Sequence, residues 1–271
     1  MTITEQAATT SDASWIEAGE AWGHAAIDWA YNFETYARDA IEEVLTIVGV
    51  TEGTELFDLA CGSGYALSRA ERLGAKTSGL DASAALLNIA ARRAPDSDLR
   101  LGTMFDLPFA DESFDAATSF NGVWGGCSEA FIEAYRVLRP GAKFGVTFWG
   151  PGKNLDLRDW FIALGTSTPS VGEEMMDLAA IGAPGVVESM FDGAGFVDVW
   201  RGSTTAILEF ADEDIAWKTL RSPGVVLPAL DALGEEALRP RLMAAIAPFR
   251  NDDGSYRLVN ELTHAIGTKP L

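Results

Sequence analysis

The segment Glu55–Gly64, E-L-F-D-L-A-C-G-S-G, runs from an apolar stretch into two glycines separated by one residue. Glycines at 62 and 64 let a backbone turn tightly and let a ligand approach it without meeting a Cβ. A helical pattern follows from Tyr65 to Leu73, and Asp81 stands seventeen residues beyond Gly64, at the tip of the next apolar run. Strand, glycine turn, helix and a second strand ending in an acid make a nucleotide-binding constellation. The acid accepts both hydroxyls of a ribose. Two cofactor classes use it. The dinucleotide fingerprint G-x-G-x-x-G seats a pyrophosphate on the helix N-terminus, but its third position here is Leu67. Asp58 would repel a pyrophosphate and suits an ammonium or sulfonium. The residues therefore favour S-adenosylmethionine (SAM) over NAD(P), with a nucleotide-dependent Rossmann-fold oxidoreductase as the alternative.

The elements that must position these residues alternate. Strands are expected at Thr54–Ala60, Lys76–Leu80, Leu99–Thr103, Phe114–Phe120 and Lys143–Trp149. Helices are expected at Tyr65–Leu73, from a Ser83 cap to about Ala94, and at Glu129–Leu138, the last stopped by Pro140-Gly141. Helix–strand alternation gives a parallel sheet covered on both faces, joined by right-handed crossovers. Beyond residue 150 the pattern changes. Residues 151–183 are polar and Gly-rich with short helical stretches, Val186–Gly195 reads as a helix, Phe196–Phe210 as one long or bent strand, 212–250 as helical, and Tyr256–Gly267 as a final strand. The expected organisation is a tail and lid helix (1–34), a Rossmann-like core (35–150), a cap insertion (151–183), a continuation of the core (184–210), a helical cap insertion (211–254) and a last core strand (255–271).

Four motifs in order carry a family resemblance: D-L-A-C-G-S-G (Asp58–Gly64), G-L-D-A-S (Gly79–Ser83), L-P-F-A-D-E-S-F-D (Leu107–Asp115) and Y-R-V-L-R-P-G-A-K (Tyr135–Lys143). Spanning roughly residues 55–149, they resemble the class I SAM-dependent methyltransferases, in the branch that includes the ubiquinone/menaquinone-biosynthesis enzymes. The resemblance implies an α/β fold with a Rossmann-like, seven-stranded, mostly parallel sheet whose last strand is antiparallel, helices on both faces and a helical cap from the insertions. It implies transfer of a methyl group from SAM to a small-molecule acceptor by direct in-line displacement, leaving S-adenosylhomocysteine (SAH). A SAM-binding protein without turnover shares the same motifs. Carried over residue by residue, Ala60, Gly62 and Gly64 line the methionine part, Asp58 lies beside it, Asp81 holds the ribose and Ala82 lies near the adenine. Where the family usually has G-D-A, this chain has Gly102-Thr103-Met104. The Thr103 hydroxyl would replace a carboxylate on the adenine amino group, and Met104 and Phe105 would pack its faces.

Ligands of open α/β sheets bind beyond the carboxyl ends of the strands. That places Phe120, Asn121, Gly122, Trp124 and Trp149 around the reactive methyl, with Asn121 the expected polar partner of SAM or acceptor. Trp15, Trp22 and Trp29 are spaced by sevens and share a face if helical. They either pack the lid onto the core or, as expected for Trp22, wall the pocket alongside Tyr31. His24 is a candidate general base for a phenol or amine acceptor. With the last strand antiparallel, its start lies at the active-site edge. Tyr256 and Arg257 are therefore pocket candidates and His264 is remote. In-line displacement mainly needs positioning and exclusion of water. Apolar residues in the cap (Met175, Met176, Leu178, Val225, Val226, Leu227, Met243) favour a largely apolar acceptor.

Composition fits this reading. The 271 residues carry 40 acids against 20 bases, a net charge of −20, so nucleic acid and anionic membrane surfaces are poor partners. No stretch approaches the roughly eighteen apolar residues of a membrane span. Met1–Ser14 lacks the basic and apolar regions of a signal peptide. Cys61 and Cys127 have no partners at metal-ligand spacing, and no metal site is expected. The expected compartment is the cytosol, with both thiols reduced.

Overall fold

The computed structural model describes residues 3–5 and 14–271. Most of the tail expected over 1–14 lies outside the described residues. One sheet organises the chain. Its strands are β1 (Thr4–Glu5), β2 (Glu55–Leu59), β3 (Lys76–Asp81), β4 (Asp98–Leu101), β5 (Phe114–Phe120), β6 (Leu138–Trp149), β7 (Val197–Phe210) and β8 (Tyr256–Thr268), in the spatial order β1-β4-β3-β2-β5-β6-β8-β7. Strands β1 to β6 pair in parallel, and β8 runs antiparallel to both neighbours. Seven strands build the expected mostly parallel sheet with its last strand reversed. The eighth, Thr4–Glu5, pairs with Arg100–Leu101 at the β4 edge; two residues carry too little period for a sequence pattern to register.

Successive side chains of a strand point to opposite faces, and this alternation divides the core in two. Leu56 and Ala116 face one side, packed with helix Arg38–Ile47 through Val44 and Leu45. Phe57 and Ala117 face the other, packed with Phe131 and Phe191 of helices Ser128–Val137 and Val186–Ala194. The helix starts follow capping chemistry: Ser83 Oγ accepts from Leu86 N, Thr168 Oγ1 from Val171 N, and Asp212 Oδ1 from Ile215 N.

Three departures from expectation have local causes. β6 begins at Leu138 rather than Lys143, because the chain enters it directly from helix Ser128–Val137 and carries Pro140-Gly141 within the strand. β4 ends at Leu101, so Gly102 and Thr103 leave the sheet. The Trp-rich segment is not one helix. Helix Ser14–Gly23 stops, a short turn spans Ala26–Asp28, and a wide turn, Trp29–Phe33, precedes a tight one, Glu34–Ala37. Helices Arg158–Gly165, Glu213–Leu220 and Glu235–Ile246 pack together through Trp160, Leu164, Trp217, Leu220, Leu238 and Leu242, joined to the helix 38–47 core. These helices thus share one hydrophobic cluster with that face of the sheet. No described helix is long and apolar enough to cross a membrane.

Candidate cofactor and acceptor site

A cavity of about 580 Å³ opens at the carboxyl ends of β2, β3, β4 and β5. Its floor is the turn after β2. Ala60 and Gly62 both have left-handed backbone, φ 56° and 54°. At Gly62 a Cβ would meet nothing within 4 Å, so the peptide faces open space. This backbone fits a nucleoside-type ligand laid against it. Asp81, at the tip of β3, ties the turn down: one carboxylate oxygen accepts from Gly62 N and the other from Ser83 N, each at 2.8 Å. Each oxygen keeps capacity for a further donor. Gly64 does not line the cavity. It caps helix Tyr65–Arg72 and packs on Ala90.

Asp58 is buried beneath the turn and accepts from Thr118 Oγ1 at 2.8 Å. Burial pushes its carboxyl up to about 7 against the Thr118 bond, with the charges of Asp81 and Glu34 adding to the rise. Asp81 is raised to about 6 by burial, which outweighs its backbone hydrogen bonds. Burial pushes the Cys61 thiol up as well, so it rests protonated.

Past β4, Gly102, Thr103, Met104 and Phe105 line the next wall, and the Thr103 hydroxyl accepts from Phe105 N at 3.3 Å. Past β5, Phe120, Asn121, Gly122, Val123 and Trp124 line the wall opposite. Asn121 is left-handed (φ 53°) and is pinned to β6: its backbone N donates to Thr147 Oγ1, and its Oδ1 accepts from the same hydroxyl at 2.7 Å. The roof is the lid. Trp15, Trp22 and Trp29 all line the cavity despite the break between them, with Trp22 and Trp29 edge to face at 5.0 Å.

Several expected pocket residues lie elsewhere. Tyr31 points outward, 55% exposed, with the Arg93 guanidinium 4.6 Å from its ring centroid. Trp149 stands one layer behind the wall, stacked on Tyr36, which does line the cavity. Arg257 sits on an exposed face of β8, paired with Glu209, and Tyr256 is buried in the cap core. His24 is not poised as a base. Its ring nitrogens meet the carbonyl oxygens of Ala21 and Arg221 at 2.6 and 3.1 Å, in a shallow surface groove. His264 is buried between β8 neighbours, near Trp200 and Glu43.

Sequence reasoning missed Glu34, Tyr65, Ser170, Glu173, Glu174 and Asp177, all in the cavity wall. None belongs to a motif, and only the fold brings them near the glycine turn. Among the described lining residues there is no Lys, Arg or His. Among the described residues no group of His, Cys, Asp and Glu is placed to hold a metal ion.

Fold and site together present a glycine turn and a strand-end acid shaped to hold an adenosyl ligand. In agreement, residues 57–146 match the family described as a methyltransferase domain, a family that uses SAM. Among curated relatives, the 2-phytyl-1,4-naphtoquinone methyltransferase of Synechocystis sp. is 37% identical over 129 residues, 42% of this chain and 54% of the relative. The demethylmenaquinone methyltransferase of Renibacterium salmoninarum is 36% identical over 102 residues, 37% of this chain and 43% of the relative. The chain thus spans about half the length of these relatives. Among solved structures, YcgJ of Bacillus subtilis superposes with TM-score 0.55 at 17% identity, covering 86% of this chain and 99% of that one. A Haemonchus contortus phosphoethanolamine N-methyltransferase in complex with phosphomonomethylethanolamine and SAH gives 0.54 at 16%, covering 86% and 53%. At such identities the likeness is one of fold. The oxidoreductase alternative gains no support from these matches.

Proposed function

We propose that the chain is a SAM-dependent methyltransferase acting in the cytosol on a small, largely apolar acceptor. The observation that carries this reading is the Asp81 junction, where one carboxylate anchors both the glycine turn and the start of the next helix and still faces the cavity. There Asp81 would accept the ribose hydroxyls, with Asp58 facing the amino-acid portion and the backbone of Ala60 and Gly62 alongside. Met104 and Phe105 would pack the adenine, and Ala82 and Thr103 would border it. When bound, SAM supplies a methyl group on a positively charged sulfur, which passes to the acceptor by in-line displacement.

The protein's part is to orient and to exclude water. Trp15, Trp22, Trp29, Tyr36, Phe120 and Trp124 give an aromatic wall for the acceptor. Glu173, Glu174 and Asp177, with no Lys, Arg or His among the described lining residues, disfavour an acceptor that carries negative charge. With His24 turned away, the reading assigns no histidine base.

A thermal-shift titration tests it. SAH at about a hundred times its dissociation constant should stabilise the fold by roughly 2.7 kcal/mol, a shift of a few degrees at this chain length, while NAD and NADP give none. A shift with NAD alone overturns the reading. Labelled SAM with a panel of neutral apolar acceptors then separates an enzyme from a SAM-binding protein without turnover.

A further inference from the structure

Glu34 opens the tight turn Glu34–Ala37 of the lid and is 8% exposed. It is held from two sides. Ser63, inside the glycine turn, shares its one hydroxyl proton between both carboxylate oxygens, at 2.5 and 2.6 Å. Arg93, at the end of helix Ala84–Arg93, donates to Oε1 and, through its other nitrogen, to the carbonyl of Ala30 in the lid. One side chain of the lid is thereby bonded to the cofactor turn and to the helix behind it.

The hydrogen-bond inventory leaves something over. Oε1 takes two donors, whereas Oε2 takes only Ser63. A carboxylate has about four lone-pair sites. Glu34 also lines the cavity, as do Asp58 and Asp81, while Arg93 stands outside the wall. Three carboxylates thus surround a turn whose cavity side carries no described cation. Buried like charges of this kind are relieved by taking up protons or by a positive guest.

We propose that Glu34 and Asp58 together receive the ammonium group of the cofactor's amino-acid portion, and that Ser63 and Arg93 are positioning residues that hold Glu34 for it. The inference rests on the SAM reading above. It makes the lid part of the cofactor site, so that docking of residues 14–37 and filling of the glycine turn reinforce each other. The carboxyls behave accordingly: burial raises Glu34 against its Ser63 and Arg93 bonds, and the charge of Glu34 contributes to the rise of Asp58.

The contrasting role is a plain latch, in which the Glu34–Arg93 pair fastens the lid without touching the ligand. Two probes separate them by calorimetry on the full chain: SAH, and 5′-methylthioadenosine, which keeps the adenosine and the sulfur but lacks the amino-acid portion. Losing a charged acceptor costs ten- to a hundred-fold at a contacted group. Glu34→Gln should therefore weaken SAH about tenfold or more and leave methylthioadenosine within about twofold. Ser63→Ala, which frees the carboxylate without removing it, should weaken SAH several-fold with the same selectivity, and it carries the test if Glu34→Gln does not fold. Equal losses on both probes, or none on SAH, overturn the proposal in favour of the latch. If the unaltered chain binds neither probe, the SAM reading itself fails, a different result.

Discussion

A Cβ placed on Gly19 would fall 1.9 Å from the carbonyl oxygen of Ala82. Helix Ser14–Gly23 therefore rests on the backbone that leaves β3, with Trp15 and Trp22 of the same helix on the cavity wall. Alanine at this position has to push the helix away, an overpacking that costs about 1–3 kcal/mol. Gly19→Ala is expected to lower the urea midpoint accordingly and to weaken SAH several-fold. An affinity equal to that of the parent would show that the lid does not need this contact.

Asp81 gives a sharper expectation. On the proposed assignment its loss removes a charged acceptor from the ribose, and it also unties Gly62 and Ser83. The ligand share is about 1.5–3 kcal/mol, or ten- to a hundred-fold in affinity. Calorimetry of Asp81→Ala that returns the parent's SAH affinity would refute the ribose assignment.

Acidity supplies a test without mutation. Asp58 sits at about 7 and Asp81 at about 6, both raised chiefly by burial. A carboxyl raised in the folded state favours folding while protonated. That contribution is full below the ordinary carboxylate value and is lost as pH climbs through 6 to about 7. Ligand binding runs the other way, because a cation beside Asp58 draws the proton off. SAH affinity should rise between about pH 5 and pH 7, by up to tenfold per unit for each proton released, and level off above. Titrations in buffers of different ionisation enthalpy count that proton. An affinity that does not change across this range would remove Asp58 from the site.

Asn121 separates backbone from side chain. Its left-handed φ costs a non-glycine residue roughly 1–2 kcal/mol, and its Oδ1 bond to Thr147 returns about 1. Asn121→Gly loses the bond but relieves the backbone, so its stability should stay within about 1 kcal/mol of the parent. Asn121→Ala keeps the strain and loses the bond, and should be less stable by about 1–2 kcal/mol. Thermal unfolding of the three chains gives the order, and equal stability of the Ala and Gly variants would contradict it.

The floor of the site was legible because its demands are local. Gly62 has to turn, Asp81 has to end a strand, and both needs show in a few neighbouring residues. The sheet was legible for the same reason: Leu56–Phe57 and Ala116–Ala117 alternate between faces within single strands. The roof was not. His24 and Tyr31 share the lid with Trp22 and Trp29, and their direction depends on where the helix breaks and how the turn at Trp29–Phe33 widens. Arg257 stands at the expected strand end, but its side chain leaves for Glu209. Glu34 carries no motif at all. Its place follows from a partner, Arg93, 59 residues away.

The residues assigned to the adenosyl ligand, apart from Glu34, lie between positions 58 and 105, inside the matched 57–146 segment, whereas much of the acceptor wall comes from the lid, the helix Pro169–Ala180 and Val225, all outside it. If the proposed assignment holds, Glu173, Asp177 and Val225, which lie outside the lid as well as outside the matched segment, are the positions at which substitution would alter the acceptor and leave the residues assigned to the donor untouched.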